Sequence, residues 1–283
     1  MVDYSQTALV HNKYICNKLI GNGKFGQIYL GIDQTNNKEV AIKLESRDNS
    51  YITLKNEATI LKYLHDNGCC YIPLLHWFGN FQDKFCIVVS KYECSLYEYV
   101  MNNEISENLK NDLMLKMITI VEDIHKHYVV HRDIKPHHFM IKNTHLYLID
   151  FGISTFYINH DRKIKPNKPV EYIIGSPNYV SYFLHEGNTY SRRDDMVSLG
   201  YIYIFLHYKE LPWEKVNVED NVHQESEIKH EKNKIRKKLK SLDEIHNVVN
   251  KINTNIVTYF SFCYYLEYYD EPNYTDNIAL FLY

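Results

Sequence analysis

A chain of 283 residues with 45% hydrophobic and 24% charged residues has the make-up of an ordinary globular protein, long enough to bury a core within one two-lobed domain. Its formal net charge of −3, with an isoelectric point near 6.6, excludes a strong general attraction to nucleic acid or to a membrane surface. No uncharged apolar run approaches the ~18 residues of a membrane-spanning helix, no basic-then-apolar leader opens the chain, and six cysteines without regular spacing predict buried thiols rather than a disulfide framework. The expectation is a soluble intracellular protein, cytoplasmic or nuclear.

In chain order, KYICNKLIG (Lys13 to Gly21) and FGQIYLGID (Phe25 to Asp33) are short β-prone runs joined by glycines, and KEVAIKLE (Lys38 to Glu45) follows a TNN turn. Leu54, Ala58 and Leu61 then fall on one helical stripe that Gly68 is placed to stop. FCIVVSKYE (Phe85 to Glu93) returns to strand. From about Ser95 the pattern is mainly helical. Apolar residues recur at Leu109, Leu113, Met117, Ile120, Val121 and Ile124, predicting an amphipathic helix. FMIK and LYLID form a β-prone pair, and Asp194 to Tyr208 is apolar nearly all round after an acidic start, as in a helix buried at the centre of a lobe. The order predicts an α+β, two-lobed single domain over 1–283. Its small β-rich N-terminal lobe covers about 1–92, a mainly helical C-terminal lobe about 93–283, and Ser90 to Glu93 form the hinge.

Gly21, Gly23 and Gly26 make a GxGxxG. That spacing also occurs in dinucleotide-binding Rossmann folds and in plain β-turns, but a Rossmann fingerprint opens a helix, whereas QIYLGID continues as a strand. A glycine-rich hairpin over phosphates fits better. Lys43 stands in VAIK, seventeen residues beyond Gly26, where it can pair with phosphates if a carboxylate such as Glu57 holds it. Each could be an ordinary exposed charge; their order and spacing argue for a pair. Asp133 in HRDIKP can accept a hydroxyl proton, with Lys135 two residues on to neutralise transferring charge. Asp150, in LIDFG seventeen residues after Asp133, can hold magnesium.

These motifs, with GSPNYVSYF, SRRDDMVSLGYIY and LPW after them, resemble the eukaryotic-type protein kinases and, within them, the casein kinase 1 group. The matching positions include Gly175, Tyr179, Ser181, Ser191 to Asp195, Ser198 to Tyr201 and Leu211 to Trp213, and the resemblance covers roughly Lys13 to Leu282. It implies a bilobal kinase fold that transfers the γ-phosphate of ATP to serine or threonine in protein substrates, acidic ones among them, as a monomer. Asp133 and Lys135 would be the catalytic pair. ATP would contact Ile20, Gly21, Asn22, Gly23, Lys24, Phe25, Gly26, Ile28, Ala41, Lys43, Glu57 and Val89, the last as gatekeeper.

Three departures matter. The group's metal-binding asparagine is His138 here. Imidazole nitrogen suits softer metals than an amide oxygen does, so His138 beside Asp150 could shift preference from magnesium towards manganese. It could also merely hydrogen-bond, or mark a pseudokinase that binds nucleotide or partners as a scaffold. Because Lys43, Glu57, Asp133, Lys135 and Asp150 all remain, altered or reduced catalysis is expected rather than complete loss. The group's substrate-phosphate arginine is Asn178 here, which puts a preference for phosphorylated substrates in doubt. Finally, the basic stretch Lys229 to Lys240 reads as a solvated helical face, with a nuclear-localisation or nucleic-acid patch as the alternative.

Overall fold

Along residues 26–33 buried positions alternate with half-buried ones, the pattern of a strand with one dry face. The computed structural model describes residues 8–23, 26–48, 53–170, 172–216 and 225–282. Strands β1 (Ala8–Val10), β2 (Tyr14–Gly23), β3 (Gly26–Asp33) and β4 (Lys38–Ser46) precede helix α1 (Thr53–Asp66), which is followed by β5 (Leu75–Phe81) and β6 (Lys84–Ser90). All six strands form one antiparallel sheet in the order β1-β2-β3-β4-β6-β5. β1 and β5 were not read from the sequence: β1 is three residues long, and β5 is interrupted by His76, Gly79 and Asn80.

The register sorts the side chains. Ile28 lies opposite Lys43, which lies opposite Ile87; Leu30, Ala41 and Val89 form the next row on the same face. Residues of the other face, Tyr29, Val40, Ile42, Leu44, Cys86 and Val88, pack with Val10, Tyr14 and Cys16 into a buried cluster. One face is therefore committed to the core, which leaves Lys43 on the opposite face.

Helix α1 ends where expected. Gly68 takes φ +92°, its N–H donates to His65 O, and Cys69 N–H donates to Leu64 O, the paired bonds of a Schellman stop. Its start has no acidic residue of its own. The buried Glu45 on β4 supplies the charge, accepting from Thr53 N–H at 3.2 Å and Leu54 N–H at 2.9 Å.

Beyond β6 come β7 (Cys94–Ser95), α2 (Leu96–Asn102), α3 (Glu107–Lys126), β8 (Val129–Val130), a 3-10 turn at Pro136–His138, the hairpin β9 (Phe139–Lys142) and β10 (His145–Leu148), and β11 (Thr155–Phe156). Helices α4 (Tyr182–His185), α5 (Arg192–Tyr208), α6 (Glu225–Leu239), α7 (Leu242–Val249), α8 (Thr254–Tyr265) and α9 (Tyr274–Ala279) follow. The chain resolves into two compact units, Met1–Cys94 with Met140–Ser154, and Ser95–Phe139 with Thr155–Tyr283. The first is β-rich and the second helical, the α+β architecture predicted from the sequence.

In the helical unit, α5 is buried from Arg192 to Leu206, which is why it carries no amphipathic pattern. α6 is helical with no buried residue, as a solvated basic face requires, but the stretch departs from that reading at its end: Lys240 is fully buried. Cys16, Cys69, Cys86 and Cys263 are buried thiols, whereas Cys70 is exposed. No helix among the described residues is long and apolar enough to cross a membrane.

Candidate functional site

Within the β-rich unit, Lys43 Nζ lies 2.7 Å from Glu57 Oε1, the pair anticipated from VAIK and the helix after it. Burial alone would lower the Lys43 pKa; the charges of Glu57 and Asp150 and the Glu57 hydrogen bond outweigh it and raise the value, so the ammonium stays charged. Asp150 follows β10 in the same unit, in the left-handed region at φ +69°. Such a conformation is costly for a non-glycine residue and persists only where its surroundings impose it. Here α1 does so: Asn56 Nδ2 donates to Phe151 O (3.2 Å), Gly152 O (3.0 Å) and Ser154 O (2.9 Å). Asn56 had no motif to announce it.

The glycine-rich stretch is a hairpin, as predicted: Gly21 pairs with Ile28, Asn22 with Gln27, and Gly23 with Gly26. Ile20 is the extra residue of a bulge between Leu19 and Gly21 and is exposed. A Cβ at Gly26 would sit 1.9 Å from Leu44 O, so this glycine is required by the approach of β3 to β4. Ala41 and Val89 are buried opposite one another, with Val89 directly before Ser90 at the end of β6. Lys24 and Phe25 lie outside the described residues.

In the helical unit, Asp133 stands on the loop between β8 and the 3-10 turn. Its Oδ1 accepts from Ser176 N–H at 2.8 Å, and its Oδ2 accepts from Lys135 Nζ at 2.8 Å. Lys135 Nζ also donates to Ser176 Oγ at 2.9 Å, closing a triangle of three residues in which Ser176 uses both its backbone N–H and its hydroxyl. Burial alone would raise the Asp133 pKa, but the charges of His138 and Lys135 and the bonds from Lys135 and Ser176 hold it below the ordinary carboxylate range. Gly175 takes φ +104°, and a Cβ there would meet Arg132 O at 2.6 Å, so the chain reaches Asp133 at this point only as glycine.

Asp195, in the first turn of α5, fixes this loop. Its carboxylate accepts from His131 N–H (2.8 Å), Arg132 N–H (3.1 Å), His125 Nε2 (2.9 Å) and Tyr190 OH (2.6 Å). Arg132 needs that support, since it too is left-handed at φ +74°. The sequence marked Asp195 only as part of a matching motif.

His138 is buried, and its Nδ1 donates to Asp133 O at 2.9 Å. A carbonyl only accepts, so Nδ1 carries the proton in this bond. Asn178 accepts from Arg236 Nε at 3.1 Å, so a guanidinium from α6 lies beside it.

His185 is half-buried, with its Nε2 3.3 Å from Lys240 Nζ. Burial, with the Lys240 and Arg236 charges, pushes His185 down to about 3. Its folded value lies below the ordinary 6.5, so unfolding takes up a proton: the stability it contributes is complete above pH 6.5 and lost as pH falls towards 3. We expect about 2 kcal/mol of destabilisation from this group between pH 7 and pH 5. Urea titrations at the two pH values should show that slope reduced in His185→Gln. A protein kinase domain family model matches residues 14–267, and the chain belongs to the protein kinase family.

Proposed function

We propose that this kinase transfers the γ-phosphate of ATP to serine and threonine hydroxyls of proteins, as an enzyme of casein kinase 1 type. The observation that carries the reading is the Asp133–Lys135–Ser176 triangle. An incoming hydroxyl beside Asp133 would find one carboxylate oxygen oriented by Ser176 N–H and the other held by Lys135. The hydroxyl oxygen bonds to the γ-phosphorus, the bond to the ADP oxygen breaks, and the hydroxyl proton passes to Asp133. Lys135 neutralises charge on the moving group. Lys43, kept charged and anchored by Glu57, would hold the α- and β-phosphates.

Asp150 suits magnesium as a carboxylate ligand, and His138 would add a softer nitrogen donor that favours manganese. A bound divalent ion would supply charge neutralisation on the phosphates. Arg236 beside Asn178 supports acidic substrates such as casein, through a cation brought from α6.

A second reading, a nucleotide-binding scaffold without catalysis, draws on the commitment of His138 Nδ1 to Asp133 O where the group has an amide ligand. Labelled ATP with casein, followed by phosphoamino-acid analysis, tests the proposal. Phosphoserine and phosphothreonine are expected in both metals, with manganese relatively favoured. Phosphotyrosine alone would overturn the substrate assignment, and nucleotide binding without transfer would favour the scaffold.

A further inference from the structure

Four successive backbone carbonyls, Pro177 to Val180, each accept a hydrogen bond from a side chain of the helical unit. Lys240 Nζ donates to Pro177 O at 2.8 Å and to Val180 O at 2.7 Å. Trp213 Nε1 donates to Asn178 O at 2.7 Å, and Ser198 Oγ to Tyr179 O at 2.7 Å. The amides are used as well: Tyr179 and Val180 N–H both donate to Ser176 O, at 2.8 and 3.0 Å. Ser176 in turn meets Asp133 and Lys135. The strip is thus tied to the proposed catalytic base at one end and to Lys240 across its length.

Lys240 is an unusual clamp. It is the last residue of a basic run whose other members are surface cations, yet its side chain is fully buried and none of the partners named here is a carboxylate. Burying an ammonium costs free energy unless hydrogen bonds and neighbouring charge distributions replace its water. Two carbonyls do so, helped by the faces of Tyr201 and Trp213, 5.1 and 5.4 Å from Nζ. Its backbone is pinned too: Lys240 N–H donates to Arg236 O, and Tyr264 OH donates to Lys240 O at 2.6 Å. A residue needed only to fill space there would be apolar; a double donor aimed at two carbonyls of one strip specifies the path of that strip.

We infer that Lys240 is a positioning residue that holds Pro177–Val180, and through Ser176 the hydroxyl-accepting side of Asp133, in register for the protein substrate. The role of Asp133 in this inference rests on the phosphate-transfer reading above. Lys240→Met keeps the length and removes both donors. Hydrogen–deuterium exchange over 176–180 is expected to quicken about tenfold in this variant, with α3 and α5 unchanged. Its kcat for a serine peptide should fall several-fold while KM for ATP stays at the wild-type value. Wild-type exchange and kcat in the folded variant would overturn the inference, as would exchange that quickens equally throughout the chain.

If Lys240→Met does not fold, Lys240→Gln, which retains one amide donor group, replaces it, and wild-type exchange over 176–180 in that variant would overturn the inference equally. The exchange measurement does not depend on catalysis. A wild-type protein without Asp133-dependent transfer would sink the kinase activity alone, leaving the clamp to be decided by exchange.

Discussion

Asp133→Ala is expected to lower kcat for casein by about 10²–10⁴-fold, some 3–5 kcal/mol of transition-state stabilisation, with little change in KM for ATP. The loss has two parts. Removing the carboxylate removes the proton acceptor, and it also leaves Ser176 N–H and Lys135 Nζ without the oxygens they now bond. Asp133→Asn separates them, because its amide oxygen can still accept from Ser176 N–H but is not a base. A carboxylate held below its ordinary range is a weak base, so much of its contribution is orientation of the hydroxyl, as a loose transition state allows. Asp133→Asn should therefore retain more activity than Asp133→Ala while staying far below wild type. For the same reason, protonation of Asp133 should not limit the rate anywhere near neutral pH. Initial rates with labelled ATP, on both variants and over a pH series, check all three statements; undiminished transfer in Asp133→Ala would remove Asp133 from the mechanism.

His138→Asn is expected to raise magnesium-supported kcat about tenfold, roughly 1.4 kcal/mol, and to lower the manganese-to-magnesium rate ratio. Asparagine can do both jobs at this position. Its Nδ2 can donate to Asp133 O as His138 Nδ1 does at 2.9 Å, while its Oδ1 offers the hard oxygen that magnesium prefers. The loop should therefore keep its path, and stability should change by no more than about 1 kcal/mol, the worth of one exchanged hydrogen bond. Rates in the two metals, measured side by side with wild type, provide the check. A ratio that ignores residue 138 would mean that the imidazole is not a metal ligand and serves only to brace Asp133.

Much of the candidate site was legible because its parts are local. The glycine hairpin, Lys43 on the next strand, Glu57 one helix later, and the two aspartates seventeen residues apart are short motifs in fixed order, and the strands and helices carrying them show the periodicity of half-buried elements. The Lys43–Glu57 ion pair could be anticipated for the same reason: strand, turn and helix bring residues fourteen apart to one place. Even the burial of α5 was visible, as a run of apolar residues without a polar face.

What the sequence could not display are the side chains that hold backbone in place. Asn56 reaches carbonyls 95 to 98 residues away, Asp195 accepts from amides 63 and 64 residues away, and Lys240 donates to carbonyls 60 and 63 residues away. A backbone carbonyl or amide has no residue identity, so nothing in the sequence marks it as a partner. Lys240 shows this most sharply, since in a row of lysines its letter is the same as that of its solvated neighbours Lys237 and Lys238. The chain alone determined the family of folds and pointed to the candidate chemistry-bearing residues, because those readings depend on local spacing and period. Only the tertiary structure decided which cation is buried and which left- and right-handed turns are enforced, because these follow from hydrogen-bond geometry between segments that meet after folding.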